Sequence, residues 1–416
     1  MEEKIKKINT KILDLVLNTD FTKLEDHGLF TGKLGVVLYL LSLYKRDQAP
    51  ILKEKIQILI EQIFSDLSSN KSQLLHDIGL YDGLTGLGYL LFCLKQDNFI
   101  DSEIDNQINI INELVIDQAY QMLDEGAFDF FYGPIGILHY FDYIKNDKLC
   151  EAIIHQLYQI GQQNNFIYYN ITHDPYSEGL NFGFAHGSAA LVAVLLNIYQ
   201  RGVCVDYTKE IIIGILDNML LFRKDNIDLT KSILVDTLPT SYKTEFPYNV
   251  VADDSIIDLQ YIRNNQHNKL HYSGRLGWCN GDLSMLFILF KAAIVVKKDI
   301  YKEIANQLIH RTVLRLHEND TKVKDSFICH GSAGIAMLYR KLFQLTGENK
   351  FNEANKLWIE KTIDLLEKEY SQYSSIPEII QLLTGFCGSS LVLESHLTNT
   401  SFSEFENLFL CMTPYE

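Results

Sequence analysis

The sequence predicts an all-α protein, an α/α toroid in which seven inner and seven outer helices form a double ring. Three observations support this: a Gly-x-x-Gly-like element recurs, an apolar segment follows each element, and amphipathic segments lie between them. The first glycines of successive elements are 51, 50, 54, 94, 50 and 54 residues apart. These glycines are Gly32, Gly83, Gly133, Gly187, Gly281, Gly331 and Gly385.

Each repeat is predicted to hold one outer and one inner helix. The segment after Gly83 carries leucines on most of its sides, which is typical of a buried helix. The segment from Ile56 to Leu67 repeats its apolar residues with a period near 3.6, as an amphipathic helix does. An open solenoid needs polar repeats at its ends. Because the last element is as apolar as the others, we predict that the helix pairs close into a ring.

The step from Gly187 to Gly281 exceeds the usual spacing by roughly 44 residues. We therefore predict a loop insertion between repeats 4 and 5, within approximately residues 203–274. Loops of that length are usually functional or disordered, and this one comes just before Cys279. No Gly/Ser-rich or Pro-rich linker divides the chain, so residues 1–416 are predicted to form a single domain.

Composition and charge exclude several classes of protein. The formal charge is −16, from 37 basic and 53 acidic residues, which argues against nucleic-acid binding. The most apolar stretch, Met285–Val296, is too short to span a bilayer, and the charged start of the chain is unlike a signal peptide. Seven cysteines, an odd number, predict reduced thiols. We therefore expect a cytoplasmic protein without membrane insertion.

Residues that precede the glycines share one position at the N-termini of the inner helices. Cys279 and Cys329 each lie two residues before a glycine in successive repeats, and His330 follows Cys329. His186 stands one residue before its own glycine, as His330 does. Two cysteines and one histidine are three zinc ligands, and an open fourth position is typical of catalytic zinc. The alternative of buried core thiols does not explain the shared register, and a closed structural zinc lacks a convincing fourth ligand.

Three motifs on this sevenfold repeat resemble the lanthipeptide cyclases, the LanC-like family of lanthionine synthetase C-like proteins. The pairing of Trp-Cys with Cys-His-Gly at one-repeat spacing is specific, whereas the Gly-x-x-Gly elements alone would be weak. The resemblance covers essentially the whole chain. The motifs are Asn181-Phe-Gly-Phe-Ala-His186-Gly, Arg275-Leu-Gly-Trp-Cys279-Asn-Gly and Cys329-His330-Gly-Ser-Ala-Gly.

The resemblance implies site residues and a cofactor. It implies one Zn²⁺ per chain at the mouth of the ring, with the ligands Cys279, Cys329 and His330. It further implies that His186 is the catalytic acid and base, that Asp129 is its supporting carboxylate, and that Arg275 lies near the reacting centre.

The resemblance also implies a function, that of a stand-alone, zinc-dependent lanthionine synthetase. Such a cyclase adds peptide cysteine thiolates to dehydroalanine or dehydrobutyrine in an intramolecular Michael-type reaction and forms (methyl)lanthionine thioether rings. A metal-bound thiol is deprotonated, a cation such as Arg275 stabilises an enolate, and a histidine moves protons near pH 7. The expected partner is a dehydrated precursor peptide. A complex with a dehydratase and a transporter would place the chain at the periphery of a membrane-associated assembly.

The chain departs from the family pattern at three places. Ala190 and Ser284 replace the second glycine of their elements, which is a mild change in helix packing. Asn280 stands where several members have a tyrosine, so a proton role for that tyrosine does not transfer to this chain. The third departure is the insertion before Arg275, which bears on substrate recognition.

Other interpretations of these residues stay open. A LanC-like zinc enzyme could instead add a small thiol such as glutathione to dehydrated residues, or the chain could be a non-enzymatic, zinc-containing peptide-binding scaffold. A prenyltransferase would need basic residues for a diphosphate, and a glycoside hydrolase leaves the cysteine and histidine register unexplained. Asp129 could cap a backbone N–H, Arg275 could form a loop salt bridge, and His186 could be structural. Asp82 shares the register of His186 and is expected to act as a cap rather than a site carboxylate.

Overall fold

A computed structural model describes residues 1–172, 177–226, 233–234, 244–252, 268–272 and 275–415. Within them the helices are α1 (Glu2–Asn18), α2 (Lys33–Asp47), α3 (Pro50–Ser68), α4 (Leu84–Gln96), α5 (Asp105–Asp124), α6 (Pro134–Tyr143), α7 (Asp147–Asn164), α8 (Ser188–Gln200), α9 (Val205–Leu221), α10 (Asp282–Val295), α11 (Asp299–Val313), α12 (Glu318–Thr321), α13 (Ser332–Thr346), α14 (Asn349–Tyr373), α15 (Phe386–Thr398) and α16 (Ser403–Leu408). No described helix is both long enough and apolar enough to cross a bilayer.

The helices alternate between two kinds, as the repeat predicts. Directly after each glycine element comes a helix whose residues are almost all buried; in α8, every residue from Ser188 to Leu196 is buried. The helices between them bury one stripe, and in α1 this stripe repeats with helical period. The buried helices are α2, α4, α6, α8, α10, α13 and α15. Their amphipathic partners are α1, α3, α5, α7, α9, α11 and α14.

The chain forms two compact units. One comprises Met1–Asp117, Lys324–Arg340 and Asn352–Met412, and the other comprises Gln118–Val323, Lys341–Phe351 and Thr413–Glu416. The first unit contains both ends of the repeat series. Within it, Asn9 of α1 donates a 2.6 Å hydrogen bond to Glu394 of α15 and accepts a 3.1 Å bond from Ser390. The first amphipathic helix therefore packs on the last buried one, which is the pairing that closure of the repeats requires.

The loop before each buried helix supplies the partners for the first amides of that helix. The first four N–H groups of a helix have no partner within it, and the residue that begins these helices is a glycine without a side-chain cap. Before α4, the amides of Leu84 and Thr85 donate to the carbonyls of Asp77 and Ile78 at 3.0 and 3.3 Å. The same pattern recurs before α2 and α13. The loop backbone therefore caps the helix.

This capping explains the first glycine of the element at Gly83. Its backbone is extended, with φ −120°, so its conformation does not require glycine. A Cβ there would lie 2.6 Å from the Asp77 carbonyl and from the amide of Gly79, which is closer than real Cβ contacts come. Gly281 adds a second reason, because its φ is +114° and a Cβ would meet the Arg275 carbonyl at 2.5 Å. Close approach of the loop backbone is the reason for the recurring glycines.

The loops of successive repeats are also bonded to one another through the backbone. The Tyr81 carbonyl accepts hydrogen bonds from the amides of Leu29 and Phe30, at 2.8 and 3.3 Å. The amide of Leu383 donates to the Phe30 carbonyl at 3.0 Å, and the Leu383 carbonyl accepts from Cys329 at 3.1 Å. This inter-repeat chain of hydrogen bonds links repeat 6 to 7, 7 to 1, and 1 to 2. The last and first repeats are therefore joined as neighbours.

The second unit contains a small sheet, which corrects the expectation of a protein built of helices alone. Its strands are β1 (Leu180–Asn181), β2 (Ile233–Leu234), β3 (Asn249–Ala252) and β4 (Asn268–His271), in the order β1-β3-β4-β2. Pairing is antiparallel for β1 with β3 and β3 with β4, and parallel for β2 with β4. Of the predicted insertion at 203–274, residues 227–232, 235–243, 253–267 and 273–274 lie outside the described residues. Its extent, and the single domain over 1–416, stay predictions.

The close-approach explanation is tested with Gly83→Ala. The added methyl group forces the loop away from the helix N-terminus, so we expect the free energy of unfolding in urea to fall by about 3 kcal/mol. The control is Gly202→Ala, because no atom lies within 4 Å of its added Cβ. Its only strain comes from the left-handed backbone, so its free energy of unfolding should fall by about 1 kcal/mol. Equal losses for the two variants would contradict the explanation.

Candidate functional site

Cys279, Cys329 and His330 form a group that could hold a metal ion. Each residue offers one ligand atom, and these atoms lie within 4.8 Å of one another. Cys279 is buried, and the other two residues are half-buried. Ligand atoms on one tetrahedral zinc stand about 3.5–4 Å apart, so small shifts would suffice for binding. Two sulfurs and one imidazole nitrogen are a donor set that suits zinc and leaves one position open.

Cys279 lies where the repeat 5 loop meets the repeat 4 loop. Trp278 is fully buried beside it and packs on Phe184, with ring centroids 6.0 Å apart. The Cys279 carbonyl accepts hydrogen bonds from the amides of Phe184 and Ala185, at 2.8 and 3.3 Å. Ala185 is followed directly by His186. The backbone of the cysteine is therefore tied to the segment that carries the histidine, as their shared register predicts.

Cys329 and His330 lie in the loop that precedes α13. The Asp325 carboxylate accepts a 3.0 Å hydrogen bond from the amide of Phe327, which shapes the turn. The other oxygen of Asp325 lies 3.5 Å from Nε2 of His330. A carboxylate beside a metal-ligating imidazole is a common arrangement, because it fixes the ring and its tautomer. The loop therefore places His330 next to a carboxylate.

His186 and Asp129 form a close acid–base pair. Nδ1 of His186 lies 2.7 Å from Oδ2 of Asp129, and Oδ1 of Asp129 accepts the amide of Tyr132 at 2.9 Å. The carboxylate thus contacts both the imidazole and a backbone N–H, so its two predicted roles occur together. The imidazole makes this contact through Nδ1. The His186 side chain is 20% exposed and that of Asp129 is 9% exposed.

Two aromatic residues that were not among the predicted site residues pack on the His186 ring. Phe131 meets the imidazole edge-on, with centroids 5.4 Å apart and planes at 89°. Tyr132 stacks on it at 6.2 Å and 19°, and is itself 40% exposed. Both residues stand two and one positions before Gly133, the register of the ligand residues. Their register was the signal that could have identified them.

Arg275 and Asp82 complete the predicted residues. Arg275 is half-buried six residues before Gly281, and its backbone carbonyl packs against that glycine. Its proximity to the reacting centre stays a prediction. Asp82 is half-buried in the first unit, where burial and the carboxylates of Asp77 and Asp26 raise its pKa to about 6.

The raised pKa of Asp82 predicts a pH-dependent stability. Its pKa exceeds the ordinary value of 3.8, so this carboxyl stabilises the fold at low pH and loses that contribution as the pH rises through about 6. Asp82→Asn should therefore be more stable than the wild type at about pH 7.5, and equal to it at about pH 4. The gain should stay below about 1 kcal/mol, because solvent screens the half-exposed charge. Thermal unfolding at both values measures this; a variant less stable at the higher pH would contradict it.

The chain is similar in sequence and in structure to known proteins. Residues 23–410 match the family model described as lanthionine synthetase C-like protein. The chain is 23% identical over 415 residues to the nisin biosynthesis protein NisC of Lactococcus lactis subsp. lactis, an alignment that covers 94% of this chain and 90% of that protein. The solved structure of nisin cyclase matches with a TM-score of 0.69 and 20% identity, covering 98% of this chain and 97% of that one. This structural match confirms the predicted α/α toroid.

Proposed function

Because the chain belongs to the lanthionine synthetase C-like family, we propose that it is a zinc-dependent cyclase that forms thioether rings in a dehydrated precursor peptide. The observation that carries this proposal is the grouping of Cys279, Cys329 and His330, whose ligand atoms lie within 4.8 Å of one another. The relative named as a nisin biosynthesis protein and the solved structure named as nisin cyclase support the same class of reaction.

The proposed reaction adds a peptide S–H across the C=C bond of dehydroalanine or dehydrobutyrine. When bound, zinc would supply the deprotonation of the peptide thiol, since a coordinated thiol loses its proton. The sulfur forms a bond to the β-carbon, the π electrons move into an enolate, and a proton is added at the α-carbon. Nothing leaves, so the peptide keeps its mass while it loses one free thiol.

The protein's own residues are proposed to move the proton and stabilise the charge. Asp129 is proposed to hold the proton of His186 on Nδ1, so that Nε2 acts as the nitrogen that accepts the thiol proton and returns one to the α-carbon. Phe131 and Tyr132 keep the ring in one orientation. Arg275 is proposed to stabilise the enolate oxygen. Asn280 carries no ionisable proton, so the proposal gives it no part in the proton transfer.

The cellular setting is also part of the proposal. No disulfide joins any of the cysteines in the part of the chain that the structure describes, and we propose a reducing, cytoplasmic compartment. The substrate is proposed to be a dehydrated precursor peptide that arrives from a dehydratase, with a transporter as a further member of the assembly. Addition of a small thiol such as glutathione to the same dehydrated residues remains the alternative, and mass spectrometry separates the two reactions.

The zinc claim is tested with Cys279→Ala. Protein purified without chelator should contain about one equivalent of zinc, and the variant should lose the metal because one of three ligands is gone. The rate of free-thiol loss from a dehydrated peptide should fall at least about 100-fold. Cys204→Ala is the control, since this half-buried cysteine lies outside the ligand register and should change neither result.

Two outcomes of this experiment would overturn the proposal. Wild-type protein with less than about half an equivalent of zinc would remove the metal from the mechanism. A peptide that gains the mass of one glutathione per dehydrated residue, with its own thiols still free, would show the small-thiol reaction instead.

The acid–base pair is tested with Asp129→Asn. The amide would still accept the Tyr132 N–H through its oxygen but would donate to Nδ1 of His186, which moves the ring proton to Nε2 and removes the base. We expect ring closure in single-turnover assays to slow about 100-fold, with zinc content unchanged. His186→Asn should slow it by about 10²- to 10⁴-fold. Full activity in both variants would assign the proton transfer to another group.

A further inference from the structure

An acidic residue of the amphipathic helix α14 holds the loop that carries Cys329 and His330. Glu369 is only 7% exposed, and its Oε1 accepts the amide of Ser326 at 3.0 Å. Its Oε2 accepts the Ser326 hydroxyl. Ser326 lies three residues before Cys329 and is fully buried. One carboxylate therefore takes both hydrogen-bond donors of a residue at the base of the ligand loop.

Ser326 connects this loop to two further elements. Its carbonyl accepts the amide of Ala333, in the first turn of α13, at 3.2 Å. It also accepts the hydroxyl of Ser389 of α15 at 2.9 Å. These polar interactions of Ser326 are thus all made within the first unit. A shift of Ser326 would displace the short backbone segment that leads to Cys329 and His330.

The geometry points to Glu369 as a positioning residue that preorganises the Cys329–His330 half of the metal site. This inference rests on the proposed zinc site and names a residue that the family resemblance does not supply. Groups that hold metal ligands in place commonly change metal affinity by 10- to 100-fold when they are lost. Glu369 would act through Ser326 and the loop, without touching the metal or the substrate.

Repeat 1 has an equivalent contact between its loop and an acid of the next helix, but that loop carries no predicted zinc ligand. His27 takes the register of Ser326, five residues before its glycine, and its Nε2 lies 2.9 Å from Asp66 of α3. Asp66 also accepts a 2.9 Å hydrogen bond from Nζ of Lys33. Ser332 occupies the position of Lys33 in repeat 6. An acid of the following amphipathic helix therefore holds both loops, but the repeat 1 loop offers no predicted zinc ligand. Asp66 is a matched control.

Asp66 and Glu369 differ in the direction in which the protein shifts their pKa values. Lys33, then His27, lowers the pKa of Asp66. For Glu369, burial and the Asp325 charge raise the pKa, and the hydrogen bonds from Ser326 and the Lys368 charge lower it. Burial, the largest cause, raises the pKa of Glu369 to about 7. Burial thus disfavours the ionised form of Glu369, and the two hydrogen bonds from Ser326 act in the opposite direction.

Zinc affinity of the full-length protein, measured by competition with a chromophoric chelator, tests the inference. Glu369→Leu should weaken zinc binding by about 10- to 100-fold. Glu369→Gln should stay within about threefold of the wild type, because its amide can accept the Ser326 N–H and donate to the hydroxyl. Asp66→Asn should lower thermal stability but leave zinc affinity unchanged. If Glu369→Leu does not fold, Ser326→Ala serves in its place as a milder change. This variant should weaken zinc binding a few-fold.

Wild-type zinc affinity in both Glu369→Leu and Ser326→Ala, with only the melting temperature lowered, would overturn the positioning role. A second readout needs no metal: amide hydrogen exchange over residues 325–331 in metal-free protein should be faster in Glu369→Leu than in the wild type, and unchanged exchange also counts against the inference. If wild-type protein binds no zinc, the proposed function fails, and the exchange measurement still decides whether Glu369 orders the loop.

Discussion

The structure depends on how the free amides at the N-termini of its buried helices are satisfied. A buried helix end without partners is costly, and side-chain caps are replaced here by the carbonyls of the preceding loop. The loop must therefore run against the helix start, which leaves no room for a Cβ at residues such as Gly83. The recurring glycines, the tight loops and the fixed register of the residues before each glycine all follow from this one constraint.

The same constraint builds the site. A loop that is bonded to its own helix has few ways to move, so the residues one and two positions before the glycine occupy defined places. Backbone bonds between successive loops, as from Phe184 and Ala185 to the Cys279 carbonyl, carry that order from one repeat to the next. Residues far apart in sequence, such as Cys279 and the segment that carries His186, thereby become neighbours. The backbone thus sets the positions of the residues before each glycine, and the side chains at these positions can differ from repeat to repeat.

The sequence was most informative where periodicity carried the information. The fifty-residue spacing predicted the paired helices, and the shared register predicted that Cys279, Cys329 and His330 would meet. The strands β1 to β4 were missed because strands as short as Leu180–Asn181 leave no alternating pattern to detect. Glu369 was missed for a different reason: its partner Ser326 is 43 residues away, and an acid on an amphipathic helix normally faces solvent. Long-range polar contacts of this kind have no local signature.

The bond from Leu383 to Phe30, together with the packing of α1 on α15, has a consequence for how the protein unfolds. In a linear array, loss of a terminal unit leaves the others intact. Here the two ends of the repeat series share an interface that is held by non-covalent contacts alone, so there is no terminal unit to lose. Fraying at either end breaks contacts of both the first and the last repeat. Such a chain is expected to unfold with higher cooperativity than its modular sequence suggests, and its ends tolerate trimming less than those of a solenoid.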